Sequence, residues 1–138
     1  MLRKETNRII FHHSLSDFGD VEEISKWHVL RKPPIIPIGY HFVILKDGTI
    51  EKGRELNQVG AHCQGRNRDS IGVCLIGDFR RYEPSREQVQ AAYNLYSELH
   101  FIYQKRLLIE FHRDKENPCP GPMLNRGDFI EILRRVDL

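Results

Sequence analysis

The sequence predicts an α/β fold, with a central mixed β-sheet flanked by helices in a single domain that spans residues 1–138. Short apolar runs rich in β-branched and aromatic residues alternate with stretches whose apolar residues recur every three or four positions. Strands interleaved with helices in this way are typical of a layered α/β architecture. No internal repeat, low-complexity tract or Gly/Ser-rich linker divides the 138 residues, and a chain of this length can bury its own core.

The first predicted elements are a strand over residues 8–12 and a helix over residues 21–30. The strand is a brief apolar run that ends in polar turn residues. Asp20 precedes the helix as a candidate N-cap, and two glutamates in the first turn suit the positive end of the helix dipole. The helix should end by Lys32, because a proline pair follows that residue.

A hairpin and a buried strand are predicted next. Residues 40–45 are aromatic and β-branched, as strands tend to be, and the Asp47-Gly48 turn leads the chain back through residues 50–53. Residues 70–77 form a nearly continuous apolar run, which predicts a strand buried on both faces.

The longest helix is predicted from Ser85 to about residue 103. Ser85 and the glutamine three residues later match a capping box. Apolar residues at three- and four-residue steps give the helix one apolar stripe: Val89, Ala92, Tyr93, Tyr96, Leu99 and Tyr103. A strand over residues 106–111 then delivers His112 at its end, and Asn125 caps a last helix.

Composition excludes several classes of protein. A net charge of +2 is too small to indicate nucleic-acid binding, and no segment reaches the roughly 18 apolar residues of a membrane span. Residues 1–8 are charged and lack the apolar core of a signal peptide, so we expect a protein that is cytoplasmic as synthesised. Three cysteines without a signal peptide argue against a disulfide framework.

Histidine and cysteine side chains mark the candidate site. His12 and His112 each end a predicted strand, and sites in open α/β sheets form at the carboxyl ends of strands. Cys119 follows on a segment that can turn back to the same point. Imidazole and thiolate are common zinc ligands, and three protein ligands leave one tetrahedral position for water, as in catalytic zinc sites. The competing interpretation is a polar strand end, a surface histidine and a buried thiol.

Five ordered blocks of residues carry a resemblance to a known family. They are Ile10-Phe11-His12-His13-Ser14; Gly39-Tyr40-His41-Phe42-Val43-Ile44 with Asp47-Gly48-Thr49; Gly60-Ala61-His62; Asn67 with Ser70-Ile71-Gly72-Val73-Cys74-Leu75-Ile76-Gly77; and His112-Arg113-Asp114 with Cys119-Pro120-Gly121. Through these blocks, from Ile9 to about Phe129, the chain resembles the zinc-dependent N-acetylmuramoyl-L-alanine amidases. That group includes the phage lysozyme-type amidases and the peptidoglycan recognition proteins, and the resemblance implies their fold.

The resemblance also implies roles for individual residues. His12, His112 and Cys119 match three zinc ligands, and Tyr40 matches a tyrosine near the metal that supports catalysis. Family members that only recognise peptidoglycan typically lack the cysteine, so Cys119 favours an enzyme. In such an enzyme zinc lowers the pKa of a bound water to about 7, and the Tyr40 hydroxyl can help to stabilise the oxyanion.

One position departs from the family pattern. Many enzymatic members have a lysine or threonine two residues before the ligand cysteine, where this chain has Asn117. The preceding loop is also slightly short, and Lys115 could reach the same space. Either Lys115 or Asn117 is therefore the candidate second electrophilic group. The resemblance further suggests substrate contacts for His62, Arg66 and Asn67, against the alternative of an ordinary surface loop.

The function predicted from these residues is zinc-dependent hydrolysis of the amide bond between N-acetylmuramic acid and L-alanine in peptidoglycan. We expect a monomeric phage or prophage endolysin that acts on the cell wall after release, with no nucleic-acid partner and no stable membrane association. Three alternatives stay open: a cytoplasmic amidase that recycles muropeptides, a non-catalytic peptidoglycan-binding module, and a protein-binding role hinted at by the basic residues near the N-terminus.

Overall fold

The computed structural model describes residues 1–112, 119–125 and 128–136. Its strands are β1 (Arg8–His13), β2 (Phe42–Ile44), β3 (Ile50–Lys52), β4 (Ser70–Leu75) and β5 (Leu108–Phe111), and its helices are α1 (Val21–Val29), α2 (Arg86–Tyr103) and α3 (Phe129–Arg134). Two short 3₁₀ turns, Asn67–Asp69 and Pro122–Asn125, were not predicted, because segments of three or four residues carry no helical period.

The five strands form one mixed sheet in the order β3-β2-β4-β1-β5. Strand β1 lies between β4 and β5 and is parallel to both, and β2 is parallel to β4. Only the β2–β3 hairpin is antiparallel among the described strand pairs. The predicted α/β architecture with a central mixed sheet is confirmed.

Alternate residues of the central strands supply two separate apolar clusters, one on each face of the sheet. The larger cluster takes Phe11 and Val73 together with the apolar faces of α2 and α3. The smaller one takes Cys74 and Ile76 with residues of α1. Burial on both faces explains why β1 and β4 read as nearly continuous apolar runs.

The N-terminal caps of α1 and α2 are the residues predicted from the sequence, and that of α3 is not. The Asp20 side chain accepts from the Glu23 amide, and Ser85 forms the expected capping box. The last helix begins later than predicted, at Phe129, because Asn125 ends a 3₁₀ turn instead of opening the helix. Asn125 still contributes to capping, since its side chain accepts from the Ile130 amide at 2.8 Å.

The strand predicted over residues 40–45 is shorter in the structure and begins at Phe42. Consecutive amides of Gly53 and Arg54 donate to consecutive carbonyls of His41 and Tyr40. That pattern breaks the alternation of an antiparallel ladder, so regular pairing stops before Tyr40. The irregular segment leaves Tyr40 outside the sheet ladder and next to the ends of β1 and β4.

The longest helix, α2, has 18 residues and presents buried side chains on one side only. Across the described ranges no helix combines the length and the apolar character that a bilayer crossing requires. The apolar side of α2 is used for packing on the sheet.

Several histidines are packed inside the fold as neutral bases. Burial is the largest cause that lowers the pKa values of His13, His28 and His41 from 6.5 to about 4. In each ring Nδ1 accepts a hydrogen bond from a backbone amide. The donor is the Phe79 amide for His13, the Gly39 amide for His28 and the Gly72 amide for His41. Protonation would cost each ring its accepting nitrogen, so these bonds also favour the neutral form.

The metal-free protein should therefore lose stability as the pH falls from 6.5 towards 4. In that window the unfolded chain takes up protons on these histidines and the native state does not, so stability is complete above pH 6.5 and declines below it. Each such proton contributes about 1.4 kcal/mol per pH unit. Urea unfolding at several pH values, with chelator present, measures the slope.

The matched variant is His28→Asn, whose side-chain oxygen can still accept from the Gly39 amide but does not titrate. We expect the slope of its unfolding free energy against pH to be smaller than that of the original protein by about 1.4 kcal/mol per pH unit, which corresponds to one proton. Equal slopes in the two proteins would show that His28 is not held neutral by the fold.

Candidate active site

Strand pairing brings the two predicted histidine ligands together. Strands β1 and β5 are parallel, with Phe11 paired to Phe111, so the next residues along each strand are His12 and His112. The His112 amide donates to the Phe11 carbonyl at 3.3 Å, which continues the ladder by one bond. The two imidazole rings lie 4.8 Å apart between centroids. Residues a hundred positions apart in sequence thus meet at the carboxyl edge of the sheet.

Cys119 reaches the same point from the segment that follows β5. Its Sγ lies 3.9 Å from Nδ1 of His12 and accepts from the His13 amide at 3.4 Å. The segment behind the thiol is anchored at Gly121, where φ is +93° and a Cβ would lie 2.7 Å from the Phe79 backbone. A glycine is needed there because an L side chain would meet both the strained φ and the contact.

The three side chains form a donor set that could hold a metal ion. One ligand atom from each of His12, His112 and Cys119 lies within 4.8 Å of the others. Burial is the main cause that lowers the pKa of His12 well below 6.5, and positive charge on His62 or His112 would lower it further. His12 is therefore neutral at physiological pH, with one ring nitrogen available as a ligand.

His62 lies directly behind His12. Its Nδ1 is 2.8 Å from Nε2 of His12, and its Nε2 is 3.1 Å from the Ser70 hydroxyl. Burial is also the main cause that lowers the pKa of His62. The loop that carries His62 is held by Asn67, whose side-chain oxygen accepts from the His62 and Cys63 amides at 2.9 Å each.

Tyr40 also lies beside His12, with ring centroids 5.0 Å apart. Burial is the main cause that raises the pKa of the Tyr40 hydroxyl, and the neighbouring thiols Cys74 and Cys119 raise it further. The phenol is therefore protonated at neutral pH and can act as a hydrogen-bond donor. Cys74 is the β4 residue paired with His12.

A cleft with a volume of about 640 Å³ opens beside the donor set. Its wall includes His112, His62 and Asn67, and three cationic side chains: Arg31, Lys32 and Arg66. A second cavity, of about 550 Å³, lies over α2 and α3, and none of the three potential ligands lines it. The first cleft therefore places a candidate binding surface next to the potential metal ligands.

Comparison with known proteins identifies the family. The sequence model of the N-acetylmuramoyl-L-alanine amidases matches residues 2–122. The chain belongs to this amidase family. The endolysin of Klebsiella phage KP32 is 36% identical over 135 residues, covering 90% of this chain and 86% of that protein.

Solved structures show the same fold. The amidase LysC from Clostridium intestinale is 32% identical, with a TM-score of 0.81, and the match covers 93% of this chain and 83% of that one. A point mutant of Drosophila PGRP-LB, solved in complex with tracheal cytotoxin, is 30% identical with a TM-score of 0.78, covering 96% and 83%. The amidase-like fold predicted from the five sequence blocks is confirmed.

The remaining predicted residues of this amidase fall into two groups. Arg66 and Asn67 line the cleft, and the Arg66 guanidinium also pairs with Glu110 at 2.6 Å. His62 lines the cleft as well, although both of its ring nitrogens bond to protein atoms. The two candidates for a second electrophilic group, Lys115 and Asn117, lie outside the described residues.

Several contacts in the site were not predicted from the sequence, among them those of Ser70 and Cys74. Ser70 bonds to His62, and Cys74 neighbours the Tyr40 hydroxyl, whose pKa it raises. Gly72 signalled only that some group approaches β4 closely, because a glycine inside a strand often marks such an approach; it did not identify His62. Cys74 offered no comparable signal, since a cysteine in an apolar strand is ordinarily a small hydrophobic residue.

Proposed function

We propose that this protein hydrolyses the amide bond between N-acetylmuramic acid and L-alanine in peptidoglycan, as a phage or prophage endolysin. The observation that carries the proposal is the convergence of His12, His112 and Cys119 on one point beside a cleft. Membership of the amidase family and 36% identity to a phage endolysin support both the reaction and the biological role. We take residues 1–138 as one amidase domain that acts as a monomer on the wall after release from the cell.

Zinc is the metal that best suits the donor set. Two imidazoles and one thiolate are typical zinc ligands, whereas magnesium and calcium prefer oxygen ligands. Three protein ligands on one side leave the fourth position for water, which is the arrangement of catalytic zinc sites. When bound, zinc would supply a water with a pKa of about 7 and thus a nucleophile at neutral pH.

Tyr40 is suited to donate a hydrogen bond to the substrate carbonyl. Its hydroxyl stays protonated, and its ring packs beside that of His12. A donor in this position strengthens its bond as negative charge develops on the carbonyl oxygen, and this stabilises the transition state relative to the substrate. Lys115 or Asn117, just before Cys119 in the chain, remains the proposed second donor.

The cleft suits an anionic peptide. Arg31, Lys32 and Arg66 are its charged lining residues within the described part of the chain. A guanidinium can bind a carboxylate through two parallel hydrogen bonds, so the carboxylates of a stem peptide are appropriate partners. We propose that Arg66 and Asn67 contact this peptide, while the reacting amide lies between Tyr40 and the metal ligands.

The purified protein should release free amino groups of L-alanine from peptidoglycan, and chelation should abolish the release until zinc is restored. His12→Ala and Cys119→Ala should be inactive and zinc-free, because each variant leaves an incomplete ligand set. His100→Ala, a change at a buried histidine of α2, is the control expected to retain activity. Intact sacculi and soluble anhydro-muropeptides are compared as substrates.

Each outcome of this assay selects one function. Release from sacculi supports an endolysin, and release only from soluble muropeptides supports a recycling amidase. Zinc and wall binding without release would replace the proposal by a binding module. Unfolding of both ligand variants would show that the metal is structural.

Tyr40→Phe should lower kcat by about 10²- to 10³-fold, the usual effect of losing one donor to an oxyanion. Its zinc content and melting temperature should stay close to those of the original protein, because the ring keeps its packing beside His12. Tyr93→Phe, on α2 and away from the donor set, is the matched control. A Tyr40→Phe protein with undiminished kcat would remove Tyr40 from the mechanism.

A further inference from the structure

A continuous chain of hydrogen bonds runs from the backbone into the candidate metal site. The Ser70 hydroxyl lies 2.6 Å from the Arg66 carbonyl and 3.1 Å from Nε2 of His62. The His62 ring then reaches Nε2 of His12 through its own Nδ1, at 2.8 Å. All three side chains are buried, so bulk water does not compete for these bonds.

The positions of the protons follow from the ends of this chain. A carbonyl oxygen can only accept, so the Ser70 hydroxyl donates its single proton in the hydrogen bond to the Arg66 backbone carbonyl. The Ser70 oxygen must therefore accept a hydrogen bond from His62. A neutral His62 with its proton on Nε2 has a lone pair on Nδ1. That lone pair accepts the proton on Nε2 of His12, which leaves Nδ1 of His12 unprotonated.

We propose that His62 is a positioning residue that sets the tautomer of His12 for metal binding, in place of the substrate contact suggested by the sequence. Nδ1 of His12 is the nitrogen that faces Cys119, at 3.9 Å from its Sγ. With the opposite tautomer, a proton would lie on Nδ1 and block coordination. The inference rests on the metal-binding role proposed above for His12.

The backbone is shaped to admit the His62 ring at this place. A Cβ added at Gly72 would lie 2.5 Å from the His62 ring carbons, so only glycine at this β4 position leaves room for the imidazole. Gly72 is paired with Ile10, two residues before His12 on β1. His62 thus lies over the sheet beside β1, and the Asn67 side chain accepts a hydrogen bond from the His62 amide.

Nitrogen NMR of the histidine side chains in the metal-free protein tests the tautomers directly. We expect both His12 and His62 to carry their protons on Nε2. A proton on Nδ1 of either ring would overturn the proposal. This readout needs no substitution and no activity, so it does not depend on the amidase assay.

Zinc affinity, measured by competition with a chromophoric chelator, tests the consequence. His62→Leu removes the acceptor and should weaken zinc binding by about 10- to 100-fold, the usual effect of losing such a partner. His62→Asn places an amide oxygen near the position of Nδ1 and should recover most of the affinity. His100→Leu and His100→Asn are matched controls that should not change it, since His100 and His62 are both 9% exposed.

The outcomes separate this inference from the proposed function. A parent protein that binds no zinc would overturn the proposed function. Suppose that the parent binds zinc. If His62→Leu then has unchanged zinc affinity, or if His62→Asn binds zinc as weakly as His62→Leu, only the role of His62 is overturned.

If His62→Leu does not fold, Ser70→Ala replaces it. Ser70→Ala should bind zinc less tightly than the parent protein, because His62 loses the acceptor for its Nε2 proton, and unchanged affinity would overturn the role of His62.

Discussion

The register of β1 between its two parallel neighbours is the constraint on which the site depends. It places His12 beside Cys74 on β4 and beside His112, the residue that follows β5. Side chains alternate between the two faces of a strand. If the pairing of β1 shifted by one residue, His13 would take the place of His12 in the site, and His12 would point into the core on the opposite face of the sheet. The same pairing buries the apolar residues of β1 on both faces, so the core that stabilises the fold also specifies the site.

Burial sets the protonation states that the chemistry requires. It lowers the pKa values of His12 and His62 and raises that of Tyr40, so each group is neutral at physiological pH. Neutral imidazoles are available as metal ligands, and a neutral phenol is available as a donor. Full hydrogen bonding offsets the cost of burying the polar rings, as at His41, which bonds through both nitrogens. The hydrogen bonds that hold the buried histidine rings in place therefore also keep them in the neutral form.

Much of the fold and part of the site could be predicted from the sequence. Periodicity and capping residues located β1, β4 and α2, since strong apolar patterns leave few alternatives, and the ends of β1 and β5 pointed to His12 and His112. The irregular backbone at Tyr40 was not predicted, because aromatic residues there fit a strand equally well. The contact between His62 and His12 could not be predicted either, since it depends on where a loop crosses β4 over Gly72, and that is decided by tertiary packing.

X-ray absorption at the zinc edge of the zinc-loaded protein tests the proposed ligand set most directly. We expect one zinc per chain with one sulfur at about 2.3 Å and two imidazole nitrogens at about 2.0–2.1 Å, together with one further oxygen or nitrogen ligand. Cys119→Ser should remove the sulfur signal. A zinc without sulfur, or one with two sulfurs, would show that His12, His112 and Cys119 are not the ligand set.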